Sequence, residues 1–539
     1  MNKPYPHYEV PVYHDLPELL DVAMARYGNR PVFRTKRRSG ERRVSYAQLN
    51  AEVRKLSACL QRTIGSGRHV AVLGENCYEW ILTYFAVVCS GNVIVPIDRE
   101  LAAEDIAELL TECDCHFLVF SSAYKDVFHE LQDRLPALDG AEQAALYARV
   151  EREAPAAWLP TVRDAPAALI YTSGTTGRSK GVVLSQNNLC ADARAACAFV
   201  RLYGRTIALL PFHHTFAFTV NVLCSITAGV DTLIPTSLKY AAELIASFRP
   251  SFLTVVPMIL EMLDKKIRRS ISERRLAGVL PALDLLCRPF DAVGIHLRGL
   301  CFGSVRKGLG GALSFFISGG APLDPELSAR FASYGIPVLN GYGISECSPV
   351  VSVNRLGHHR PGSVGQALPG VSVRIDRKGE DEEGEICVKG DIVMLGYHNL
   401  AAETSAAMQD GWFHTGDIGK TDRDGFLYVT GRIKNLIILS NGKNVSPEEL
   451  ETYLGRIPGV QEVMVSAADN RLTAEIAPDE DYCKSLEDPQ EYFQEQILRL
   501  NRRLPPYKAI ASVRLRDTAF RKTTTKKIIR QQKEDHAHV

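Results

Sequence analysis

Tyr171-Thr172-Ser173-Gly174-Thr175-Thr176-Gly177-Arg178-Ser179-Lys180, followed by Gly181-Val182-Val183, decides the reading of this chain. Ala168-Leu169-Ile170 leads into it like a strand, and Val182-Val183-Leu184 leaves it like one. Tyr171 to Lys180 packs five Ser/Thr hydroxyls, two glycines and one lysine into a single loop. Glycine lets backbone approach a ligand closely, because no Cβ intervenes. Hydroxyls, backbone N–H groups and one ammonium together form a polyphosphate cradle. The loop is not the G-x-x-x-x-G-K-[ST] phosphate loop, since its lysine follows Gly177 by three residues. Gly419-Lys420-Thr421 also fails that pattern, because His414 stands where its first glycine should be. A Ser/Thr-rich surface turn is the bland alternative, and this spacing followed by a lysine disfavours it.

Further segments of the same chemical kind follow in order. They are Leu210-Pro211-Phe212-His213-His214, Ser318-Gly319-Gly320-Ala321-Pro322-Leu323 and Asn340-Gly341-Tyr342-Gly343-Ile344-Ser345-Glu346. Trp412-Phe413-His414-Thr415-Gly416-Asp417, Gly431-Arg432-Ile433-Lys434-Asn435 and Lys522-Thr523-Thr524-Thr525-Lys526-Lys527-Ile528 complete the series. In this order and spacing they resemble the adenylate-forming superfamily, within it the long-chain fatty acid–CoA ligases.

The resemblance implies a two-step reaction. A carboxylate plus ATP gives acyl-AMP and pyrophosphate, and the thiol of CoA then displaces AMP. A bare carboxylate has no leaving group, and adenylation supplies one. The resemblance assigns the phosphates to Thr172, Ser173, Gly174, Thr175, Thr176, Gly177 and Lys180. Adenine falls to Ser318, Gly319, Gly320, Ala321, Asn340, Gly341, Tyr342, Gly343 and Ser345, with Tyr342 stacking on the base. Glu346 and Thr175 would hold Mg2+, a hard cation that takes oxygen ligands. Asp417 would accept the ribose hydroxyls, with Arg432 beside it. Lys527 would stabilise charge developing between the carboxylate and the α-phosphate. Lys526 stands where the family usually has glycine, so the choice between Lys526 and Lys527 rests on Ile528, which favours Lys527. His214 would gate the acyl pocket; the other reading of a histidine beside His213 is structural. Lys434 would be the hinge that exchanges the Lys527 loop for a thioester-step surface at Ser440, Asn441 and Gly442.

Composition sets the frame. A chain of 539 residues exceeds the ~250–300 at which single cores stop growing. The alternation of helical and strand-like segments predicts an α/β fold: a large multi-sheet N-terminal domain, residues 1–433, for adenylation, and a small mobile α+β C-terminal lid, residues 434–539. In the lid, Pro447 to Leu454 reads as a helix with Ser446 as N-cap and Glu449 completing a capping box. Lys+Arg 63 against Asp+Glu 62 gives no electrostatic footprint for nucleic acid. The thirteen cysteines show no C-x-x-C pair, and reduced, buried thiols of a cytoplasmic protein are expected. His213-His214 and His358-His359 are no metal pairs, because adjacent side chains on a strand diverge.

The longest uncharged run, Trp80 to Ile97, is broken by Ser90-Gly91-Asn92, so a buried helix and a buried strand are expected rather than a transmembrane segment. Leu263 to Gly311 is basic and helical, either a solvated subdomain or the extension seen in long-chain ligases. The partners expected are a small-molecule carboxylic acid, medium or long, with ATP and CoA. An acyl carrier protein is the alternative acceptor, and an aryl-acid activator is a further alternative. An amino-acid activator would need a buried carboxylate for the substrate ammonium, and Pro211 to Thr219 contains none. A non-catalytic nucleotide-binding scaffold would be expected to lack Lys527 or Glu346, and both are present.

Overall fold

The computed structural model describes residues 6–37, 40–172, 179–273, 302–377, 382–439, 443–468, 471–521, 528 and 530. The chain packs as two compact units. The first comprises Met1–Val373, Val388–Phe413 and Asp422–Leu427; the second comprises Arg374–Cys387, His414–Thr421 and Tyr428–Val539. The expected architecture, α/β with a multi-sheet larger part and a smaller α+β part, is the one found.

Local sequence accounts for most elements of the first unit. Leu16–Tyr27 is a helix because Leu16, Leu19, Leu20 and Ala23 repeat at helical spacing and are buried. The Asp15 side chain caps it by accepting from the Glu18 N–H at 2.8 Å. Tyr46–Ile64 opens with a capping box between Ser45 and Gln48. Tyr78–Cys89 is a helix buried on every side except at Glu79, and Val93–Pro96 is a fully buried strand. The uncharged run is therefore core, and among the described residues no helix is long and apolar enough to cross a membrane.

Among the described residues, three sheets lie wholly within the first unit. The largest has the order Gly396–Tyr397, Lys180–Ser185, Pro166–Thr172, Val93–Pro96, His69–Leu73, Phe117–Phe120 and Asp139–Glu142. From Pro166–Thr172 to Asp139–Glu142 its neighbours run parallel, while Lys180–Ser185 is antiparallel to both of its neighbours. A five-stranded sheet orders Phe252–Val255, Phe315–Ser318, Val338–Gly343, Val350–Val353 and Gln366–Ala367, the first three parallel. A four-stranded sheet joins Gly40–Ser45, Pro31–Arg37, Asp231–Ile234 and Arg205–Ile207. Leu253, Val255, Phe316, Phe331 and Val338 form the core of the five-stranded sheet. The basic stretch begins in the helix Pro257–Glu273 and ends in the helix Gly303–Gly308; its middle, residues 274–301, lies outside the described residues.

The second unit centres on the sheet Val460–Ala468, Arg471–Pro478 and Ile510–Leu515. Helices Pro447–Leu454 and Pro489–Asn501 cover it, with Leu450, Leu454, Ile476, Phe493 and Ile497 in the core. One local expectation is corrected. Ser446 does precede the helix, but its side chain accepts no N-terminal N–H. Its hydroxyl donates instead to the Thr430 carbonyl at 2.7 Å, and Glu449 pairs with Lys508 Nζ at 2.5 Å. The capping box loses to these contacts from distant parts of the chain. The approach of Ser446 also explains Gly431: a Cβ there would lie 2.4 Å from Ser446 Oγ.

Candidate active site

The quoted loop closes a hairpin. Thr172, the last residue of Pro166–Thr172, faces Lys180, the first of Lys180–Ser185, in antiparallel register. This pairing brings the two ends of the loop together. Ser173, Gly174, Thr175, Thr176 and Gly177 lie outside the described residues, as do Ser440, Asn441, Gly442, Lys526 and Lys527.

Two further segments meet at the carboxyl ends of parallel strands, where open α/β sheets place their ligands. Ser318 ends Phe315–Ser318 and lies in register with Asn340 of Val338–Gly343. The Ser318 hydroxyl and the Asn340 side-chain oxygen are both buried without a hydrogen-bond partner. Such atoms are costly to leave unpaired, and together they offer a donor and an acceptor to a polar ligand. Gly319, Gly320 and Ala321 follow directly, and the Gly320 φ of +82° suits glycine. Gly341 has its α-carbon close to strand Val350–Val353, since a Cβ there would lie 3.0 Å from the Ser352 carbonyl oxygen. At Gly343 a Cβ would lie 2.1 Å from the Pro349 oxygen, so no side chain fits. Tyr342 lies between these glycines and is half-buried.

The histidine segment joins the same region. Asn76 holds Leu210–Phe212 by donating to the Leu210 carbonyl at 2.7 Å and accepting from the Phe212 N–H at 2.9 Å. The His213 side chain is 10% exposed, and its Nε2 lies 3.5 Å from Asp98. Burial first, then the neighbouring His214, pushes the His213 imidazole down to about 3, so it is neutral at neutral pH. His214 immediately precedes the helix Thr215–Phe218, and the two imidazoles lie 4.0 Å apart between centroids. Phe216 covers Gly319, where a Cβ would lie 3.1 Å from its ring. Thr215 Oγ1 and Ser345 Oγ are 3.3 Å apart. Beyond Phe218 the helix widens into a π turn, Thr219–Leu223, a feature frequent at functional sites. Phe218 itself packs tilted against Tyr84, with ring centroids 3.9 Å apart. The helix that follows His214 buries Ala217, Phe218, Val220, Val222 and Leu223 together with Thr219 and Asn221.

Glu346 lies in the short 3₁₀ turn Ser345–Cys347. Its Oε1 accepts from the Tyr397 hydroxyl at 3.1 Å, and its carbonyl accepts from the Met394 N–H at 2.8 Å. The Tyr397 ring also carries Lys180 Nζ at 4.7 Å from its centroid. Tyr397 thus links the lysine of the loop to the acid of the distant turn. Sequence reading passed over it, because a tyrosine after glycine carries no local signal for a partner 51 residues away.

In the second unit, Asp417 is 3% exposed and accepts from Arg432 Nε at 2.6 Å. Its own N–H donates to Thr415 Oγ1 at 3.0 Å. Glu385, also unforeseen, fixes this turn: one carboxylate oxygen accepts from the Gly416 N–H at 2.9 Å and the other meets His414 Nδ1 at 2.8 Å. Among the described residues, the one cluster of three or more His, Cys, Asp or Glu side chains with their ligand atoms in mutual reach is Asp376, Cys387 and His414. There burial pushes the Cys387 thiol up to about 11, opposing the thiolate a metal needs. The expected divergence on a strand does not hold for His213-His214, which sit in a turn with their rings 4.0 Å apart; neither they nor His358-His359 belong to such a group among the described residues. Nine of the eleven described cysteines are buried.

The family model for AMP-binding enzymes matches residues 20–398, and that for the AMP-binding enzyme C-terminal domain matches residues 434–537. The chain belongs to the AMP-binding enzyme family. A long-chain-fatty-acid–CoA ligase of Mycobacterium bovis is 31% identical over 436 residues, covering 75% of this chain and 71% of the relative. A Mycobacterium tuberculosis fatty acyl CoA synthetase has TM-score 0.67 and 25% identity over 96% of each chain. ATP-bound MatB from Rhodopseudomonas palustris has TM-score 0.76 and 26% identity over 95% of this chain and 97% of its own. As a member of the AMP-binding family the chain is an AMP-forming acid–thiol ligase, of the type that works with ATP, Mg2+ and CoA. The donors present fit that chemistry: a carboxylate held by a phenol, a lysine at the loop, and two buried polar atoms without partners.

Proposed function

We propose that this enzyme activates a medium- or long-chain fatty acid to acyl-AMP and transfers the acyl group to CoA in the cytoplasm. The observation that carries the substrate reading is the mostly apolar helix that follows His214. Ala217, Phe218, Val220, Val222 and Leu223 are buried along it, and Phe216 covers Gly319 beside the nucleotide segments. The names of the mycobacterial relative and of the similar synthetase support it.

Within this reading, Thr172 and Lys180, with Ser173, Gly174, Thr175, Thr176 and Gly177, bind the phosphates. Ser318, Asn340 and the adjoining glycines receive the base, with Tyr342 against its face. Asp417 accepts the ribose hydroxyls and Arg432 holds that carboxylate in place. Glu346 and Thr175 would hold the magnesium ion, which when bound supplies charge neutralisation at the triphosphate. His214 guards the acyl entrance. Residues 1–433 carry adenylation, and residues 434–539 move about Lys434 between the two steps.

The test is ATP–pyrophosphate exchange across a panel of carboxylic acids, followed by thioester assay with CoA and with acyl carrier protein. Each methylene buried should add ~0.8 kcal/mol, so kcat/KM is expected to climb with chain length until the apolar space ends. Acetate or benzoate outperforming dodecanoate would reject the fatty-acid reading. Thioester formed on carrier protein but not on CoA would reject the acceptor. A second prediction concerns Glu346→Ala. It is expected to slow pyrophosphate exchange and raise the magnesium requirement, because it removes a hard oxygen ligand. An unchanged magnesium titration would take Glu346 out of the site.

A further inference from the structure

Lys180 and Glu346 carry opposite charges and both contact one side chain, that of Tyr397. An ammonium and a carboxylate left free at such range tend to pair with each other. Here they form no ion pair with each other; each instead engages a different part of Tyr397. The hydroxyl donates to Glu346 Oε1 at 3.1 Å, and the ring presents its π system to Lys180 Nζ at 4.7 Å. A cation over an aromatic face is attracted by the ring quadrupole, and a phenol donating to a carboxylate is a charge-assisted hydrogen bond.

Both ends of this linkage are built on fixed backbone. Gly396 and Tyr397 pair antiparallel with Val183 and Val182, on the strand that begins at Lys180. The Tyr397 N–H donates to Thr404 Oγ1 at 2.9 Å. The Met394 N–H holds the Glu346 carbonyl. The backbone at Tyr397 and at Glu346 is therefore tied into the surrounding structure.

We propose that Tyr397 is a positioning residue for adenylate formation. It keeps the Glu346 carboxylate aimed for the metal and the Lys180 ammonium available to phosphate, and it stops the two from neutralising each other before the nucleotide binds. The proposal rests on reading Glu346 as the magnesium ligand. Its two contacts separate into two substitutions. Tyr397→Phe removes the hydroxyl and keeps the ring. Tyr397→Leu removes both and frees Lys180 to pair with Glu346. A tyrosine that only packs a sheet edge would change stability and the folded fraction, with no effect on magnesium or ATP saturation.

The experiment is pyrophosphate exchange by the full chain, titrated separately with free Mg2+ and with ATP, for wild type, Tyr397→Phe, Tyr397→Leu and Glu346→Gln, with thermal unfolding recorded for each. Tyr397→Phe is expected to raise the half-saturating magnesium concentration roughly ten-fold, the scale of one hydrogen bond to a charged group. It should leave KM for ATP and Tm near wild type. Tyr397→Leu should raise both saturation constants. Thioester formation from preformed acyl-AMP should be unaffected in both. If Glu346→Gln raises the magnesium requirement and Tyr397→Phe does not, Tyr397 has no positioning role. A lower rate in Tyr397→Phe at unchanged half-saturation rejects the role equally. If Glu346→Gln itself leaves magnesium saturation unchanged, the metal reading fails and takes this proposal with it. Should Tyr397→Leu not fold, the phenylalanine variant alone decides.

Discussion

Lys527→Ala is expected to cut acyl-AMP formation by at least about 100-fold, the scale for removing one preorganised electrostatic stabiliser. Charge develops between the incoming carboxylate and the α-phosphate, and an ammonium at that point lowers the barrier more than it strengthens ground-state binding. The substitution should therefore depress kcat for pyrophosphate exchange while KM for ATP changes little. Thioester formation from synthetic acyl-AMP should survive, because the second step takes place after the nucleotide's α-phosphate chemistry is complete. Lys526→Ala is the internal control, expected within a few-fold of wild type. Should Lys526→Ala prove the damaging one, the lysine motif is displaced by one residue. If neither matters, Lys522, Lys526 and Lys527 are a solvated basic run.

Elements governed by local sequence were legible. Leu16–Tyr27, His69–Leu73, Tyr78–Cys89, Phe117–Phe120 and Pro447–Leu454 follow from apolar periodicity and flanking turn residues. The glycines of two quoted segments have local physical reasons: Gly320 has a φ of +82°, and a Cβ at Gly343 would lie 2.1 Å from the Pro349 oxygen. What sequence did not reveal depends on contacts made after folding. Ser446 reads as a capping residue until the Thr430 carbonyl captures its hydroxyl. Tyr397 and Glu385 acquire meaning only when strands bring them to Glu346 and to the Gly416 turn. Neither follows a periodicity or a short motif, so neither could be found from spacing alone.

Lys434→Pro is expected to separate the two half-reactions. Alternation between two catalytic geometries requires a few residues that absorb a large change in φ and ψ. Lys434 is exposed in the middle of the 3₁₀ turn Ile433–Asn435. The residues flanking it are tethered within the second unit: Arg432 to Asp417 at 2.6 Å, and Asn435 to Glu448 at 2.5 Å. Proline would fix φ near −65° at 434 and drive Ile433 out of the helical region, unmaking the turn and its freedom together. If the locked geometry is the adenylating one, pyrophosphate exchange should persist while CoA-dependent release of the thioester falls by more than about ten-fold. Lys434→Ala, which changes charge without restricting φ, should leave both steps near wild type. The outcome that removes the hinge is a proline variant with both half-reactions within a few-fold of wild type, since a residue that must rotate cannot tolerate a fixed φ.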